Sequence, residues 1–233
     1  MSRNLLRSIE RSIRGLRTRP APDLKAMFPE ATDLDVQRLV QVRPFTMTSW
    51  EKLWSLRTAV RYVVERGVEG DFAEAGVWRG GSSMLVAYSL LDAGAENRTL
   101  WLFDTYEGMP SPTSVDVQLQ SGQSAQALFE SRRTGDDTSA WCLASMDDVK
   151  ANLGQPGYPP DQIKYLAGKT QNLLPTLTDL PAFALVRLDT DWYESTRAEL
   201  EALVSRLNSG GVLSIDDYGH CAGGQRAVEE FFV

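Results

Sequence analysis

The sequence predicts an α/β fold with a parallel sheet covered by helices. From residue 50 onward, five short apolar runs alternate with longer segments of helical period, which is typical of strands joined by crossover helices. Four of the five runs end at an acidic residue or a glycine. A length of 233 residues and a hydrophobic content of 42% suit one large domain with a substantial core.

Predicted strands and helices follow each other along the chain. The apolar runs predict strands over residues 71–77, 99–105, 163–168, 183–189 and 211–217. The helical period predicts helices over residues 82–94, 143–153, 170–177, 195–207 and 223–232. Residues 1–50 form the expected helical N-terminal cap, whose part from residue 21 could cover the mouth of a site. Residues 109–140 are rich in Ser, Gln, Thr and Gly, show neither period, and predict a mobile lid insertion.

Charge and cysteine content restrict the class of protein. The net charge is -7, and the first twenty residues hold six arginines and one glutamate, so the rest of the chain carries -12. An acidic body argues against nucleic acid as a partner. No apolar run is long enough to span a membrane. Only Cys142 and Cys221 are present, which suits free thiols in a reducing, cytoplasmic compartment.

The basic N-terminal segment has a narrow apolar face. Leu5, Ile9, Ile13 and Leu16 recur at helical spacing between the arginines. Such a helix could lie on a membrane surface, but it has only four apolar residues and no aromatic anchor. We therefore expect it to dock on its own protein or on a second subunit.

A glycine-rich turn follows the first predicted strand. In EAGVWRGGSS, residues 74–83, Gly76, Gly80 and Gly81 would let the backbone approach a ligand, and the start of the next helix offers free N–H groups to an anion. The spacing is not GxGxxG and no Walker lysine follows, so a dinucleotide or P-loop site is a poor match. A plain tight turn is the alternative.

The second predicted strand ends in FDTYEG. Asp104 lies 28 positions after Gly76, roughly where nucleoside-binding folds place the acidic residue that binds ribose hydroxyls. Together with the glycine turn, this favours a nucleoside cofactor with an amino-acid or phosphate tail. The alternative is that Asp104 caps the following turn.

Further carboxylates stand at the ends of the last two predicted strands. The carboxyl ends of parallel strands meet at one edge, where ligands bind, so the acidic side chains of these strands should converge. Several like charges so close together would repel unless a cation joins them, and a hard divalent ion such as Mg²⁺ prefers oxygen ligands. The alternative is that each pair caps the helix behind it. The residues expected at this edge are Glu74, Asp104, Asp189, Asp191, Asp216 and Asp217.

The only histidine, His220, excludes a His-rich zinc site. It could touch substrate or assist a proton transfer, although a loop histidine is more often a solvated surface group.

Five motifs, taken in order, resemble the macrocin O-methyltransferase (TylF-type) family of metal-dependent sugar O-methyltransferases that use S-adenosylmethionine. They are PFTMTSWEKLWSLRTAVRYV, GDFAEAGVWRGGSSML, LWLFDTYEGMP, RLDTDWYESTRAELEAL and GGVLSIDDYG. The resemblance implies a Rossmann-like class I methyltransferase sheet with helices on both faces. The chain stops after the helix that follows the fifth strand, so the two C-terminal strands usual for such a sheet appear missing.

The resemblance also implies roles for individual residues. Glu74, Gly76 and Ser82 would line the methionine end of S-adenosylmethionine, with Asp104 on its ribose. Gly168 and Thr170, on either side of Lys169, would lie near the adenine, and Met47 and Thr48 would belong to a cap over the cofactor. The turn after the third predicted strand reads GKTQNLLP, whereas the family usually has an aromatic pair after the glycine. At the predicted adenine contacts this sequence therefore departs from the family pattern.

For the chemistry, Asp189, Asp216 and Asp217 match the metal ligands of the family and Asp191 matches its general base. The implied reaction is Mg²⁺-dependent methyl transfer to a sugar hydroxyl of a glycosylated natural product of macrolide or aminocoumarin type, by a homodimer. Alternatives are a catechol-type O-methyltransferase acting on a phenol, a metal-dependent nucleotide-sugar glycosyltransferase, a phosphatase that uses Asp-Thr-Asp, and a cofactor-binding scaffold without activity. Aromatic residues that could form a platform for the aglycone are Trp78, Tyr106, Trp192 and Tyr218.

Overall fold

The structure, a computed structural model, describes residues 22–119 and 124–233. The predicted amphipathic helix with Leu5, Ile9, Ile13 and Leu16 lies outside the described residues, as do residues 120–123 of the predicted insertion. In the described ranges, no helix is long and apolar enough to cross a membrane.

Five parallel strands form one sheet in the order β3-β2-β1-β4-β5. This confirms the predicted α/β class. Strand order reverses between β1 and β4, and such a reversal opens a crevice at the carboxyl ends of these strands. The strands are β1 Asp71–Ala75, β2 Leu100–Asp104, β3 Ile163–Ala167, β4 Phe183–Leu188 and β5 Leu207–Ile215.

Helices join the strands and also precede them. The α-helices are α1 Leu24–Met27, α2 Asp33–Val42, α3 Trp50–Glu65, α4 Gly81–Asp92, α5 Ala125–Arg132, α6 Met146–Leu153, α7 Thr170–Leu173, α8 Tyr193–Ala202 and α9 Ala222–Phe232. Short 3-10 turns cover Arg43–Phe45, Pro160–Gln162, Leu174–Thr176 and Val204–Arg206. All five helices predicted after the strands are present, and α1 and α2 agree with the expected helical cap.

Alternate side chains of the strands enter two separate cores. Phe72, Leu100 and Leu102 pack with the N-terminal helices and α4 on one face of the sheet. Trp101 and Phe103 pack with α8 and α9 on the other face. Because strand side chains alternate between faces, each strand serves both layers, and each fully buried Leu or Phe contributes about 1.5–3 kcal/mol. Helices therefore cover both faces, as predicted.

Buried ion pairs fasten the N-terminal helices to the sheet layer. The Arg57 guanidinium on α3 donates to Asp35 Oδ1 on α2 at 2.6 Å and to Asp92 Oδ2 at the end of α4 at 3.0 Å. All three side chains are largely shielded from water. Removing one partner would leave an unpaired buried charge, so this network fixes the cap against the domain.

In three elements a boundary differs from the sequence prediction by four residues or more. Strand β5 begins at Leu207 rather than at 211, since Gly210 has a φ of +80° and carries the chain through an irregular register beside β4. The predicted helix over 170–177 breaks into α7 and a 3-10 turn at Pro175, which cannot donate a helical hydrogen bond. The predicted helix over 195–207 starts earlier, at Tyr193, and ends at Ala202.

The insertion over 109–140 is not free of regular structure, so that part of the prediction was wrong. It contains α5, which begins after the Ser124 cap and buries only Ala125 and Phe129. Two buried residues over eight positions give too short a pattern for a helical period to be recognised.

The outer edge of β5 is unpaired in the described ranges, where the sheet contains no sixth or seventh strand. Cys142 and Cys221 are free thiols, as expected.

Candidate active site

A pocket lies at the carboxyl ends of the strands, beside the reversal between β1 and β4, and its empty space, including solvent at the open mouth, is about 770 Å³. This is the position predicted for the ligand site. Eight of the residues predicted for the site line it, namely Met47, Gly76, Asp104, Gly168, Thr170, Asp189, Asp191 and Asp217. Thr48, Glu74, Ser82 and Asp216 lie behind this surface, in a polar cluster described below.

The glycine turn after β1 brings two strand ends together. Gly76 has a φ of +84°, and a Cβ at this position would overlap the carbonyl oxygen of Asp189. Gly80, with a φ of +85°, is the N-cap residue of α4. Gly76 is therefore required for the close approach of the backbone after β1 to that after β4, whatever ligand the turn binds.

Asp104 organises the turns around it. Its Oδ2 accepts hydrogen bonds from the Val77 and Trp78 amides at 2.7 and 3.0 Å, and its Oδ1 accepts one from the Tyr106 amide at 2.8 Å. Trp78 and Tyr106 both adopt left-handed φ values, of +47° and +56°. Such backbone costs on the order of 1–3 kcal/mol per residue, which the hydrogen bonds to Asp104 offset. These contacts show that Asp104 caps the turn that follows it, which was the alternative given by the sequence. The residue also lines the pocket.

Three predicted metal ligands converge where β4 and β5 end. Oxygen atoms of Asp189, Asp216 and Asp217 all lie within 4.8 Å of one another. The Asp191 carboxyl group lies beside them, and its buried Oδ1 has no hydrogen-bond partner in the described part of the chain. The prediction that these acids lie close together at one edge of the sheet is confirmed.

Sequence reasoning missed Arg187, which lies at the centre of the polar cluster. The guanidinium is only 2% exposed and donates to Glu74 Oε1 at 2.6 Å and to Asp189 Oδ2 at 2.8 Å. It also pairs with Asp216 Oδ1 at 3.0 Å and donates to Thr48 Oγ1 at the same distance. An arginine inside the apolar run FALVRL was the signal that could have revealed it, because a buried charge needs partners.

Glu74, Ser82 and Thr48 therefore take part in this cluster behind the pocket. Glu74 accepts from the hydroxyl of Ser83 as well as from Arg187, and Thr48 Oγ1 lies 3.5 Å from Ser82 Oγ. In this arrangement the three residues hold Arg187 and the end of the cap, rather than forming the wall of the pocket.

A second cation reaches the acids from α3. Lys52, in the first turn of this helix, donates through Nζ to the backbone carbonyl of Asp216 at 2.6 Å and to its Oδ2 at 3.2 Å. The same ammonium group is 3.7 Å from Asp217 Oδ1. Helix α3 and the acidic centre are thus linked directly.

Burial dominates the electrostatics of the acids. It raises the pKa of Asp189 well above the usual value despite Arg187, and it raises the pKa of Asp191 to about 8, with a further contribution from Asp217. For Asp216, burial is outweighed by Arg187 and Lys52, so its pKa is lowered. Arg187 and Lys52 therefore do not offset the cost of burying Asp189 and Asp191.

The turn after β3 forms another wall. Gly168 and Lys169 line the pocket, and the Lys169 ammonium pairs with Asp137 of the insertion. Asp137 Oδ1 also accepts from the Ser111 amide at 2.9 Å. The insertion is therefore fastened to the wall where the adenine was predicted.

An apolar part of the pocket lies under the insertion. Met47, Trp78, Met109 and Trp192 line it, and the Trp192 indole donates to the Pro110 carbonyl at 3.1 Å. Of the four aromatic residues that could form a platform, Trp78 and Trp192 line the pocket, although Trp192 is also buried in a small core cluster.

The other two platform candidates do not line the pocket. Tyr106 is buried and donates to the Leu102 carbonyl, while Tyr218 is 54% exposed and outside the pocket. His220 does not line the pocket either, and its amide donates to the Asp217 carbonyl at 2.9 Å.

The sequence profile of the Macrocin-O-methyltransferase (TylF) family matches residues 30–232. The chain belongs to this family. It is accordingly an O-methyltransferase, and a solved O-methyltransferase has the same fold.

Two relatives are named as O-methyltransferases. The 8-demethyl-8-(2,3-dimethoxy-alpha-L-rhamnosyl)-tetracenomycin-C 4'-O-methyltransferase of Streptomyces olivaceus is 34% identical over 86% of this chain and 74% of its own length. The demethyldecarbamoylnovobiocin O-methyltransferase of Streptomyces niveus is 31% identical over 80% of this chain and 67% of its own.

A solved structure shares the architecture. The O-methyltransferase NovP superposes with a TM-score of 0.67 and 29% identity, covering 80% of this chain and 73% of that one. The calicheamicin methyltransferase CalS11 covers 99% of this chain and 85% of its own with a TM-score of 0.58, and at 19% identity it supports the fold alone.

Proposed function

We propose that the protein transfers the methyl group of S-adenosylmethionine to a hydroxyl of a sugar on a glycosylated natural product, and that it requires Mg²⁺. The observation that carries this proposal is the convergence of three aspartates, with Asp191 beside them, in a pocket next to the glycine turn and Asp104. The family and its named relatives support the methyl donor and the sugar acceptor. Assembly as a homodimer and a cytoplasmic location stay predictions.

The residues present fit a divalent cation. Three carboxylate groups offer oxygen ligands close enough to share one ion, and Mg²⁺ prefers such ligands together with water or substrate. Five acidic side chains surround only Arg187 and Lys52, and the unpartnered Oδ1 of Asp191 is another sign of uncompensated negative charge. One divalent cation would offset most of this excess negative charge.

When bound, the ion would lower the pKa of the acceptor hydroxyl and fix its position, acting as a Lewis acid. Asp189, Asp216 and Asp217 would hold it. Asp191 would receive the hydroxyl proton at its free Oδ1. An ordinary carboxylate, with a pKa near 3.9, is too weak a base to ionise a sugar hydroxyl alone, so base and cation are needed together.

The remaining pocket residues would bind and orient the two reactants. Asp104 lines the pocket next to the glycine turn and would bind the ribose, while Gly168 and Thr170 would lie by the adenine. Trp78, Met109 and Trp192 offer an apolar wall for the aglycone. Positioning of this kind can supply about 7–11 kcal/mol of a reaction barrier in favourable systems.

Competing functions make different predictions. A catechol-type enzyme would use a similar cation site on a phenol, whereas a glycosyltransferase would bind a nucleotide sugar. Calorimetric titration with S-adenosylmethionine and then with a nucleotide sugar shows which of the two donors the protein binds. A methyl-transfer screen with labelled cofactor against glycosylated natural products and simple catechols, with and without chelator, separates the acceptors. Label transfer to catechols alone, or transfer unaffected by chelator, would refute the proposal.

A further inference from the structure

Glu199 is a buried acid that the proposed mechanism does not use. It lies in the middle of α8 and is 0% exposed. Thr170 Oγ1 donates to its Oε1 at 2.7 Å, and Thr190 Oγ1 contacts Oε1 and Oε2 at 2.9 and 2.8 Å. Among residues 22–119 and 124–233, no lysine or arginine lies within ion-pair distance of it.

Burying a carboxyl group at this position costs free energy, because the charged form loses its hydration. Burial raises the pKa of Glu199 to about 8, and hydrogen bonds from Thr170 and Thr190 offset this only in part. A leucine would fill the same core position without the desolvation cost. Simple packing therefore does not account for this residue.

The two hydroxyl partners belong to different walls of the pocket. Thr170 is the first residue of α7, directly after the Gly168–Lys169 turn on the predicted adenine side. Thr190 lies between Asp189 and Asp191, on the side of the proposed chemistry. The carbonyl of Thr190 also accepts from Thr196 Oγ1 at 3.0 Å, which fixes this loop to α8.

We propose that Glu199 is a positioning residue that joins Thr170 to Thr190. It thereby sets the spacing between the turn after β3, on the predicted adenine side, and the loop over residues 189–191, on the side of the proposed chemistry. One carboxyl group spans both loops, so neither threonine can move without stretching a hydrogen bond to a fully buried group. This inference rests on the proposed binding of S-adenosylmethionine in the pocket.

The test compares two variants of Glu199 with a matched control. Glu199→Gln keeps the length and two hydrogen-bonding atoms, whereas Glu199→Met fills the space without them. Glu201→Gln, on the same helix, alters an exposed residue whose partner is Arg197, and serves as the control. Calorimetry measures the Kd of S-adenosylhomocysteine for each protein, and circular dichroism checks the fold.

We expect Glu199→Gln and Glu201→Gln to bind within about twofold of the wild-type protein. We expect Glu199→Met to bind about tenfold more weakly, since two hydrogen bonds that order the site are lost. If Glu199 only filled space in the core, Glu199→Gln would not bind S-adenosylhomocysteine better than Glu199→Met. If Glu199→Met fails to fold, the double variant Thr170→Val/Thr190→Val removes the same two contacts and should weaken binding similarly.

Two results would overturn the inference while leaving the proposed function intact. One is wild-type affinity in Glu199→Met or in the double threonine variant. The other is equal weakening in Glu199→Gln and Glu199→Met. If the wild-type protein itself binds neither S-adenosylmethionine nor S-adenosylhomocysteine, the proposed function fails instead, and with it the basis of the inference.

Discussion

The guanidinium of Arg187 and the carboxylate of Asp216 form a buried ion pair at 3.0 Å where β4 and β5 end. The same arginine pairs with Asp189 and Glu74. A permanent cation thus lies behind the proposed metal ligands and holds two of them in place before any ion binds. It also lowers the repulsion that would otherwise separate the acids.

Loss of Arg187 should destabilise the protein strongly. Arg187→Met leaves Glu74, Asp189 and Asp216 without their shared buried partner, and breaking such a network costs about 3–5 kcal/mol. Arg197→Met removes an exposed pair with Glu201 and should change the stability little. Urea denaturation measures both. Similar stability of the two variants would contradict the proposed role of Arg187.

Asp191→Asn should separate binding from turnover. The variant keeps the shape of the side chain but cannot accept the hydroxyl proton, so we expect turnover to fall about 10²–10⁴-fold. Affinity for S-adenosylhomocysteine and for Mn²⁺ should stay close to that of the wild-type protein. An Asp191→Asn enzyme with normal turnover would rule out Asp191 as the base.

Asp217→Asn should weaken the binding of the divalent ion. Asp217 has one cation nearby, Lys52 at 3.7 Å, and is not a partner of Arg187, so this change perturbs the fold less than a change at Asp189. Titration with Mn²⁺, followed by electron paramagnetic resonance, should show at least tenfold weaker binding. Asp148→Asn, an exposed acid paired with Arg79, is the control. Unchanged Mn²⁺ affinity in Asp217→Asn would exclude Asp217 as a ligand.

Glu199 should make stability depend on pH. Its folded pKa is raised to about 8 by burial, so its stabilising contribution is full below the unfolded value near 4.5 and is lost as pH rises through about 8. Its neighbours at the carboxyl group are the uncharged Thr170 and Thr190. Between pH 6 and 9 the free energy of unfolding should fall by about 2–3 kcal/mol more in the wild-type protein than in Glu199→Gln. Parallel curves for the two proteins would contradict this pKa.

The convergence of the acids was predictable because it depends on one rule. Asp189 and Asp217 follow parallel strands, and the carboxyl ends of such strands share an edge of the sheet. Alternation of apolar runs and helical period likewise located the five strands and five of the helices after β1, though not α5 or every boundary. Gly76 was correctly singled out, although its closest neighbour in the structure is the Asp189 backbone.

What the sequence did not reveal depends on packing between distant segments. In the sequence, Arg187 is one residue of a predicted strand like the others. Its buried partners are distant along the chain, since Glu74 is more than a hundred positions away and Asp216 is about thirty. Thr48 and Ser82 were assigned to the pocket because they lie in matching motifs, yet their side chains face the arginine cluster. The helix α5 escaped recognition because it buries too few residues to show a period.

The most direct test is a crystal structure of the protein with Mn²⁺ and S-adenosylhomocysteine, recorded at a wavelength that gives anomalous scattering from manganese. We predict one anomalous peak bound by Asp189, Asp216 and Asp217, with the cofactor's ribose on Asp104 and its sulfur facing Asp191. Absence of that peak, with the acids still paired only to Arg187 and Lys52, would contradict the proposed metal-dependent methyl transfer.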